Sequence, residues 1–248
     1  MCERSAQLDY HSGADAKRYH NRLRNPFLQI KEHALASKVA HFLPQGGKLL
    51  EVGCGEGSNL AYLARHASGC SLTGVDFSEE KVIFMSPGVP KVTPVCADAT
   101  ALPFCDATFD VVYLRDLLHH VDFARETVLD EAWRVLKPGG RIVILESHGR
   151  RLLSRLFMLV NPVERGMRNS TPEQLQAMAR RLGPTKLQYV EGSFVLRALG
   201  FFLGWPEGWM QVPARLIYLM GSAWEKAHAL VLPPEAGMYM MIDIRKTS

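Results

Sequence analysis

Three glycines spaced two apart, at the end of a short apolar run, constrain this chain more than any other feature. Leu49-Leu50-Glu51-Val52 leads into Gly53-Cys54-Gly55-Glu56-Gly57 and then Ser58-Asn59-Leu60, which reads as a buried strand, a glycine turn and a helix start. Glycine removes the β-carbons that hold a ligand off the backbone and admits the positive φ of a sharp turn. The spacing is G-x-G-x-G, not the G-x-G-x-x-G of dinucleotide sites, and no Lys-Ser/Thr follows as a phosphate loop requires. Glu51 narrows the ligand, because a carboxylate at the strand end repels a pyrophosphate and attracts a cation.

The same strand-then-carboxylate pattern recurs downstream. After Lys48–Val52 and a helix over Ser58–Ala67 come a second strand, Leu72–Asp76, and a helix for which Ser78 is the N-cap. Val92–Cys96 is a third strand, followed by Ala97-Asp98-Ala99, and Phe109–Tyr113 a fourth. A helix over Phe123–Leu136 closes at Lys137-Pro138-Gly139-Gly140, and Arg141–Glu146 is a fifth strand of the continuous-apolar kind covered on both faces. Pro26–Leu43 carries apolar residues at helical spacing, Lys186–Val190 is a sixth strand, and Gly237–Arg245 a last, antiparallel strand at the sheet edge. Strands alternating with helices predict an α/β fold with a doubly wound, mostly parallel sheet. Ligands of such sheets bind beyond the strands' carboxyl ends, where the acidic residues fall.

Composition excludes several classes. Hydrophobic residues make up 47% and charged residues 22%, as in an ordinary soluble globular chain. A net charge of +4 without a dense Lys/Arg tract gives no reason to expect nucleic-acid binding. The five cysteines are scattered and form no C-x-x-C, which argues against a disulfide framework or zinc site and suits a reducing cytoplasm. Met1–His20 has no apolar core for a secretory signal, and no apolar run reaches membrane-spanning length.

Together, Leu49–Gly57, Gly74-Val75-Asp76-Phe77-Ser78, Ala97-Asp98-Ala99 with Leu102-Pro103-Phe104, Phe109–Val112, Leu117-Leu118-His119-His120-Val121 and Glu131–Gly140 resemble class I S-adenosylmethionine-dependent methyltransferases, most of all the quinone-biosynthesis and natural-product small-molecule type. The resemblance runs from about Pro26 to Glu146. It implies a seven-stranded Rossmann-like methyltransferase fold, with S-adenosylmethionine as cofactor and S-adenosylhomocysteine as product. Glu51 and the amides around Gly53 and Gly55 would hold the methionine end, and Gly57 would let the helix approach. Asp76 would accept both ribose hydroxyls, Phe77 would lie against adenine, and Asp98 with the Ala99 amide would read its edge. Asn59 and Arg115 complete the expected cofactor positions. Phe77 has a competing reading as core packing.

Methyl transfer is an in-line displacement at a carbon the sulfonium has already activated, so holding the partners in line supplies much of the acceleration. A base is needed only where the acceptor must lose a proton. The candidates are Asp116, His119 and His120, which share a face if Asp116–His120 is helical. Three readings stand: a histidine general base, a divalent-metal site, or histidines that shape the pocket. Histidine and leucine stand where the carboxylate-rich metal cluster of some quinone O-methyltransferases wants glutamate, so no metal is expected. His148 is a second-choice base.

Residues 1–25 form an arm whose Tyr10, Tyr19, Arg22 or Arg24 could reach over the ligand, and 26–248 the methyltransferase domain. Two cap segments decorate it. The first, about 148–170, includes an amphipathic helix over 151–160 that either packs its apolar face on the domain as a lid or offers a basic surface to anionic lipid or substrate. The second, about 194–232, is a largely helical apolar insertion with Trp205, Trp209, Tyr218 and Trp224; a substrate tunnel, a dimer interface or a membrane surface would bury it. The expected activity is methyl transfer to a hydrophobic or aromatic small molecule, with O- or C-methylation favoured by the paired histidines. The alternatives are a protein or RNA methyltransferase, whose Asn/Asp-Pro-Pro-Tyr motif is missing after the fourth strand, and a non-catalytic cofactor-binding partner subunit.

Overall fold

The apolar runs of the sequence become strands that are covered on both faces. A computed structural model describes residues 12–88, 91–190, 214–231, 233 and 237–247. Seven strands, β1 (Lys48–Val52), β2 (Ser71–Asp76), β3 (Val92–Cys96), β4 (Phe109–Arg115), β5 (Leu136–Ser147), β6 (Thr185–Val190) and β7 (Tyr239–Arg245), form one sheet in the order β3-β2-β1-β4-β5-β7-β6. β1 to β5 run parallel to one another, and β7 runs antiparallel to both β5 and β6. The last strand is therefore internal: β6 holds the edge, where β7 was expected. β7 is buried from Tyr239 to Ile244, which suits a strand flanked on both sides.

Side chains alternate between two cores. On one side, Leu49, Tyr113, Val143 and Met241 pack with α1 (Ala16–Arg24), α2 (Pro26–Ala40), α3 (Ser58–His66) and α4 (Glu79–Gly88). On the other, Leu50, Val112, Ile142 and Ile242 pack with α5 (Arg125–Val135) and α7 (Pro172–Leu182). This two-sided burial is why the strands read as unbroken apolar runs. Asn25 and Thr171 cap α2 and α7 with their side chains, each followed by proline in the first turn.

Three further elements depart from expectation. β5 starts at Leu136, immediately after α5, and runs through the Pro-Gly-Gly stretch expected to be a turn. Asp116 to His120 is a turn, not a helix, with Asp116 at φ +49°. α6 (Leu152–Val160) forms as expected, but it does not lay its apolar face on the domain: Leu152, Leu159 and Val160 are 73%, 76% and 74% exposed. A 3-10 segment follows over Pro162–Asn169, and α8 (Ala214–Val231) packs against α2. Tyr10, Trp205, Trp209 and most of the apolar insertion lie outside the described residues.

Candidate functional site

The carboxyl ends of β2, β1, β4 and β5 lie side by side, and each carries a charged residue: Asp76, Glu51, Arg115 with Asp116, and Glu146. In a parallel sheet these ends point the same way, so the sequence pattern of strand followed by carboxylate becomes one polar rim. The glycine turn sits at its centre. Gly53 has φ +73° and a β-carbon there would meet Leu117 at 2.7 Å, whereas Gly55, at φ +56°, faces open space. Backbone is thus bare where a ligand can reach it.

Glu51 is buried below the turn. Its Oε1 accepts from Asn59 Nδ2 at 2.6 Å, while Oε2 is buried without a hydrogen-bond partner. Burial raises its pKa to about 7, against the lowering effects of the Asn59 hydrogen bond and the Arg115 charge. A buried carboxylate with one unsatisfied oxygen favours an arriving cation over any neutral or anionic group. Asn59 in turn accepts from Arg115 Nη1 at 2.7 Å, and Arg115 forms a two-point ion pair with Glu32 of α2. Arg22 reaches Ser58 Oγ at 3.0 Å and Glu32 at 3.4 Å. Burial opposes ionisation of Glu32, but the two guanidiniums hold its pKa well below the usual carboxylate range.

At the next strand end, Asp76 Oδ2 accepts the Gly55 amide at 2.8 Å and Oδ1 the Ser78 amide at 3.0 Å. Burial raises its pKa, opposed by Lys81 and by these two amides. Phe77 is 39% exposed, so the side chain is not consumed by the core. Asp98 is exposed and accepts from the Thr100 amide and hydroxyl at 2.8 and 2.7 Å, which orders the loop carrying Ala99. Residues 12–15 cross this rim: Ser78 Oγ donates to the Ser12 carbonyl, the Ala14 amide to Glu80 at 3.4 Å and the Asp15 amide to Glu56 at 3.1 Å. Tyr19 packs edge-on against Phe84 in the core and Arg24 is exposed, so of the arm residues expected to reach inward Arg22 does so among those described.

The turn after β4 brings Asp116, His119 and His120 to the rim by a route other than a shared helical face. Asp116 Oδ2 lies 3.1 Å from the Tyr239 hydroxyl and 3.7 Å from Arg115 Nε. Glu146 fixes the turn through both oxygens, Oε1 accepting the Leu118 amide at 2.7 Å and Oε2 lying 2.6 Å from His119 Nδ1. The other ring nitrogen of His119 is 3.1 Å from Glu164 of the 3-10 segment. Burial disfavours the charged ring, but Glu146 and Glu164 outweigh it and hold the pKa well above that of ordinary histidine. Both ring nitrogens of His119 thus face a carboxylate, an arrangement that favours the imidazolium over the neutral ring. His120 lies against it, ring centroids 4.0 Å apart, with its side chain 17% exposed. His148 is nearly buried, and burial followed by Arg151 and Arg150 lowers its pKa.

Glu32, Glu146, Glu164 and Arg125 were not singled out from sequence as site residues. Glu146 ends a strand, the signal that did identify Glu51 and Asp76; Glu32 and Glu164 meet their partners only through the fold. Arg125 holds the 3-10 segment down, donating to Gly166 and Asn169 carbonyls at 2.9 and 3.0 Å.

Residues 50–144 match the family described as the methyltransferase domain. Among curated relatives, the chain is 36% identical over 118 residues to the 27-O-demethylrifamycin SV methyltransferase of Amycolatopsis mediterranei, covering 44% of this chain and 43% of that one. It is 41% identical over 109 residues to the ubiquinone/menaquinone biosynthesis C-methyltransferase of Desulfotalea psychrophila, covering 42% and 43%. The chain thus spans less than half the length of these two relatives. Among solved structures, a Thermotoga maritima protein described as an S-adenosylmethionine-dependent methyltransferase, possible histamine N-methyltransferase, superposes with a TM-score of 0.60 at 20% identity, covering 93% of this chain and 98% of that one, which shows a shared fold.

Proposed function

From the match of residues 50–144 to the methyltransferase-domain family, on a seven-stranded, mostly parallel sheet, we propose that the chain moves a methyl group from S-adenosylmethionine to a hydrophobic or aromatic small molecule. The observation that carries this reading is Glu51, a wholly buried carboxylate with one oxygen unsatisfied, set under a glycine turn whose open side is bare backbone. That fits the ammonium of the cofactor's methionine end and would penalise a phosphate. Asp76, Phe77 and the Asp98 loop fit a ribose and an adenine. When bound, the cofactor supplies a methyl group on a positively charged sulfur.

The chain's own residues then have separable tasks. Glu51 binds the cation, and Asn59 and Arg115 hold Glu51 in place. Asp76 accepts hydrogen bonds from hydroxyls while keeping the Gly55 amide in register. His119, held at both ring nitrogens by carboxylates, is a positioning residue that fixes the turn after β4. We assign removal of the acceptor's proton to His120, the more accessible of the pair, for acceptors that must lose one. The relatives' names point to small-molecule acceptors, a demethylrifamycin in one and ubiquinone/menaquinone biosynthesis in the other, and this favours O- or C-methylation here.

Calorimetry tests the cofactor assignment. Asp76→Asn keeps only one of the two acceptors that hold the Gly55 and Ser78 amides and loses the charge; it should weaken S-adenosylmethionine binding by about tenfold to a hundredfold, with a melting temperature lowered by the one unmet amide but a protein that still unfolds cooperatively. Equal affinity would remove the assignment. Product formation with phenolic, quinone and lipid acceptors tests transfer, and His120→Ala that retains full turnover on a phenol would remove the base.

A further inference from the structure

α6 presents most of its large apolar side chains to solvent. Leu152, Leu156 and Leu159 fall at i, i+4 and i+7 and share one stripe, and all three are exposed, as are Phe157 and Val160. The buried residue of the helix is Ser154, 4% exposed, beside which Leu153 is partly buried against the first core. The sequence around this stripe is basic, with Arg150, Arg151, Arg155, Arg165 and Arg168 against the single acid Glu164 between His148 and Ser170. Glu164 is already engaged with His119. Along the flank of α6 runs an open cleft of about 520 Å³, whose lining includes Arg150, Arg155 and Arg168, with Glu173 paired to Arg150.

We propose that α6 is a membrane-docking helix: its leucine stripe lies among acyl chains and the arginine cleft receives the phosphate of anionic lipid headgroups. The two halves of the surface demand different things, and a lipid bilayer with anionic headgroups supplies both at the right depth. A basic, strongly amphipathic helix lies in the interfacial plane with its apolar face a few ångströms into the acyl boundary. Each nearby arginine adds attraction to an anionic leaflet. No helix among the described residues is long and apolar enough to span a bilayer, so the contact is peripheral.

The position of α6 links docking to the site. The chain passes from α6 straight into the 3-10 segment, where Glu164 touches His119 and Gly166 packs so closely on the His119 carbonyl that a β-carbon there would come within 1.9 Å. A lipophilic acceptor dissolved in the bilayer would thus meet the protein beside its candidate acceptor site. This delivery step rests on the methyl-transfer reading; docking itself does not.

Vesicle co-sedimentation tests docking with the full chain. Wild type should partition onto phosphatidylcholine vesicles containing phosphatidylglycerol at least about tenfold more strongly than onto phosphatidylcholine alone, and less so in high salt. Leu152→Ser/Leu156→Ser/Leu159→Ser should lose about tenfold or more of that partition, and Arg150→Gln/Arg155→Gln/Arg168→Gln should abolish the preference for anionic vesicles. All these side chains are exposed, and the one ion pair lost, Arg150 with Glu173, lies on the surface, so both variants should keep the wild-type melting temperature and S-adenosylmethionine affinity. Wild type that ignores both vesicle types, a leucine variant that partitions like wild type, or a dimer that the leucine variant alone dissociates would each overturn the proposal. If vesicles capture wild type while S-adenosylmethionine fails to bind, docking stands and the methyl-transfer reading falls.

Discussion

Glu51 shows how a single side chain can be ready for a charge that is not yet there. With its pKa raised to about 7 by burial, the carboxyl is largely protonated below neutrality in the free protein. Binding a cation against it favours the ionised form, so binding below pH 7 must release a proton. At about pH 6 the release should approach one proton per S-adenosylmethionine, measured by calorimetry in buffers of different ionisation enthalpy, and affinity should fall about tenfold per pH unit below 7. Glu51→Gln should bind more weakly with neither release nor slope. A wild-type protein that binds with no proton release would show that the ammonium is held elsewhere. Glu51, Gly53, Gly55, Gly57 and Asp76 were legible in the sequence because strand, turn and carboxylate are adjacent in the chain. Glu32 was not, since Arg115 lies 83 residues away and nothing local distinguishes Glu32 from an exposed helical glutamate.

At the scale of elements, the 3-10 segment Pro162–Asn169 is seated on the turn after β4 by backbone contact and by charge. Gly166→Ala would drive a β-carbon into the His119 carbonyl, and neither backbone can move far, because Arg125 and Asn169 hold one side and Glu146 the other. We expect a loss of about 1–3 kcal/mol in urea denaturation, with slower transfer and nearly unchanged cofactor affinity. The His119 clamp adds a pH signature. Its folded pKa lies above the unfolded value of about 6.5, so its contribution is complete below that pH and is lost as pH rises through the folded pKa. The stability gap between wild type and His119→Gln should therefore narrow on the alkaline side; a gap that is constant or widens would mean the ring is neutral. The pairing of these elements was beyond local reading. Helical periodicity showed that α6 is amphipathic without saying which face the fold turns outward, and the antiparallel character of β7 did not reveal that β6 would lie outside it.

Across the whole molecule, a polar chain joins the first core to the polar rim at the strand ends: Arg22 of α1, Glu32 of α2, Arg115 of β4, Asn59 of α3 and Glu51 of β1. It ties the N-terminal helices, which precede the matched domain, to the strand ends that make the site. Such a network can serve stability, position or both, and truncation of one partner confuses them because it strands a buried charge. Glu32→Gln alone leaves Arg115 without its carboxylate and should destabilise the protein by about 3–5 kcal/mol. Glu32→Leu/Arg115→Met removes both charges, and a well-packed apolar pair should recover most of that stability. Cofactor affinity should stay low in the double variant, because Asn59 loses the Arg115 donor that aims it at Glu51. Urea denaturation and calorimetry on the same three proteins separate the two roles: recovery of both stability and affinity in the double variant would reduce the network to a structural one, while stability recovered without affinity would show that α2 helps to set the geometry of a site it never touches directly.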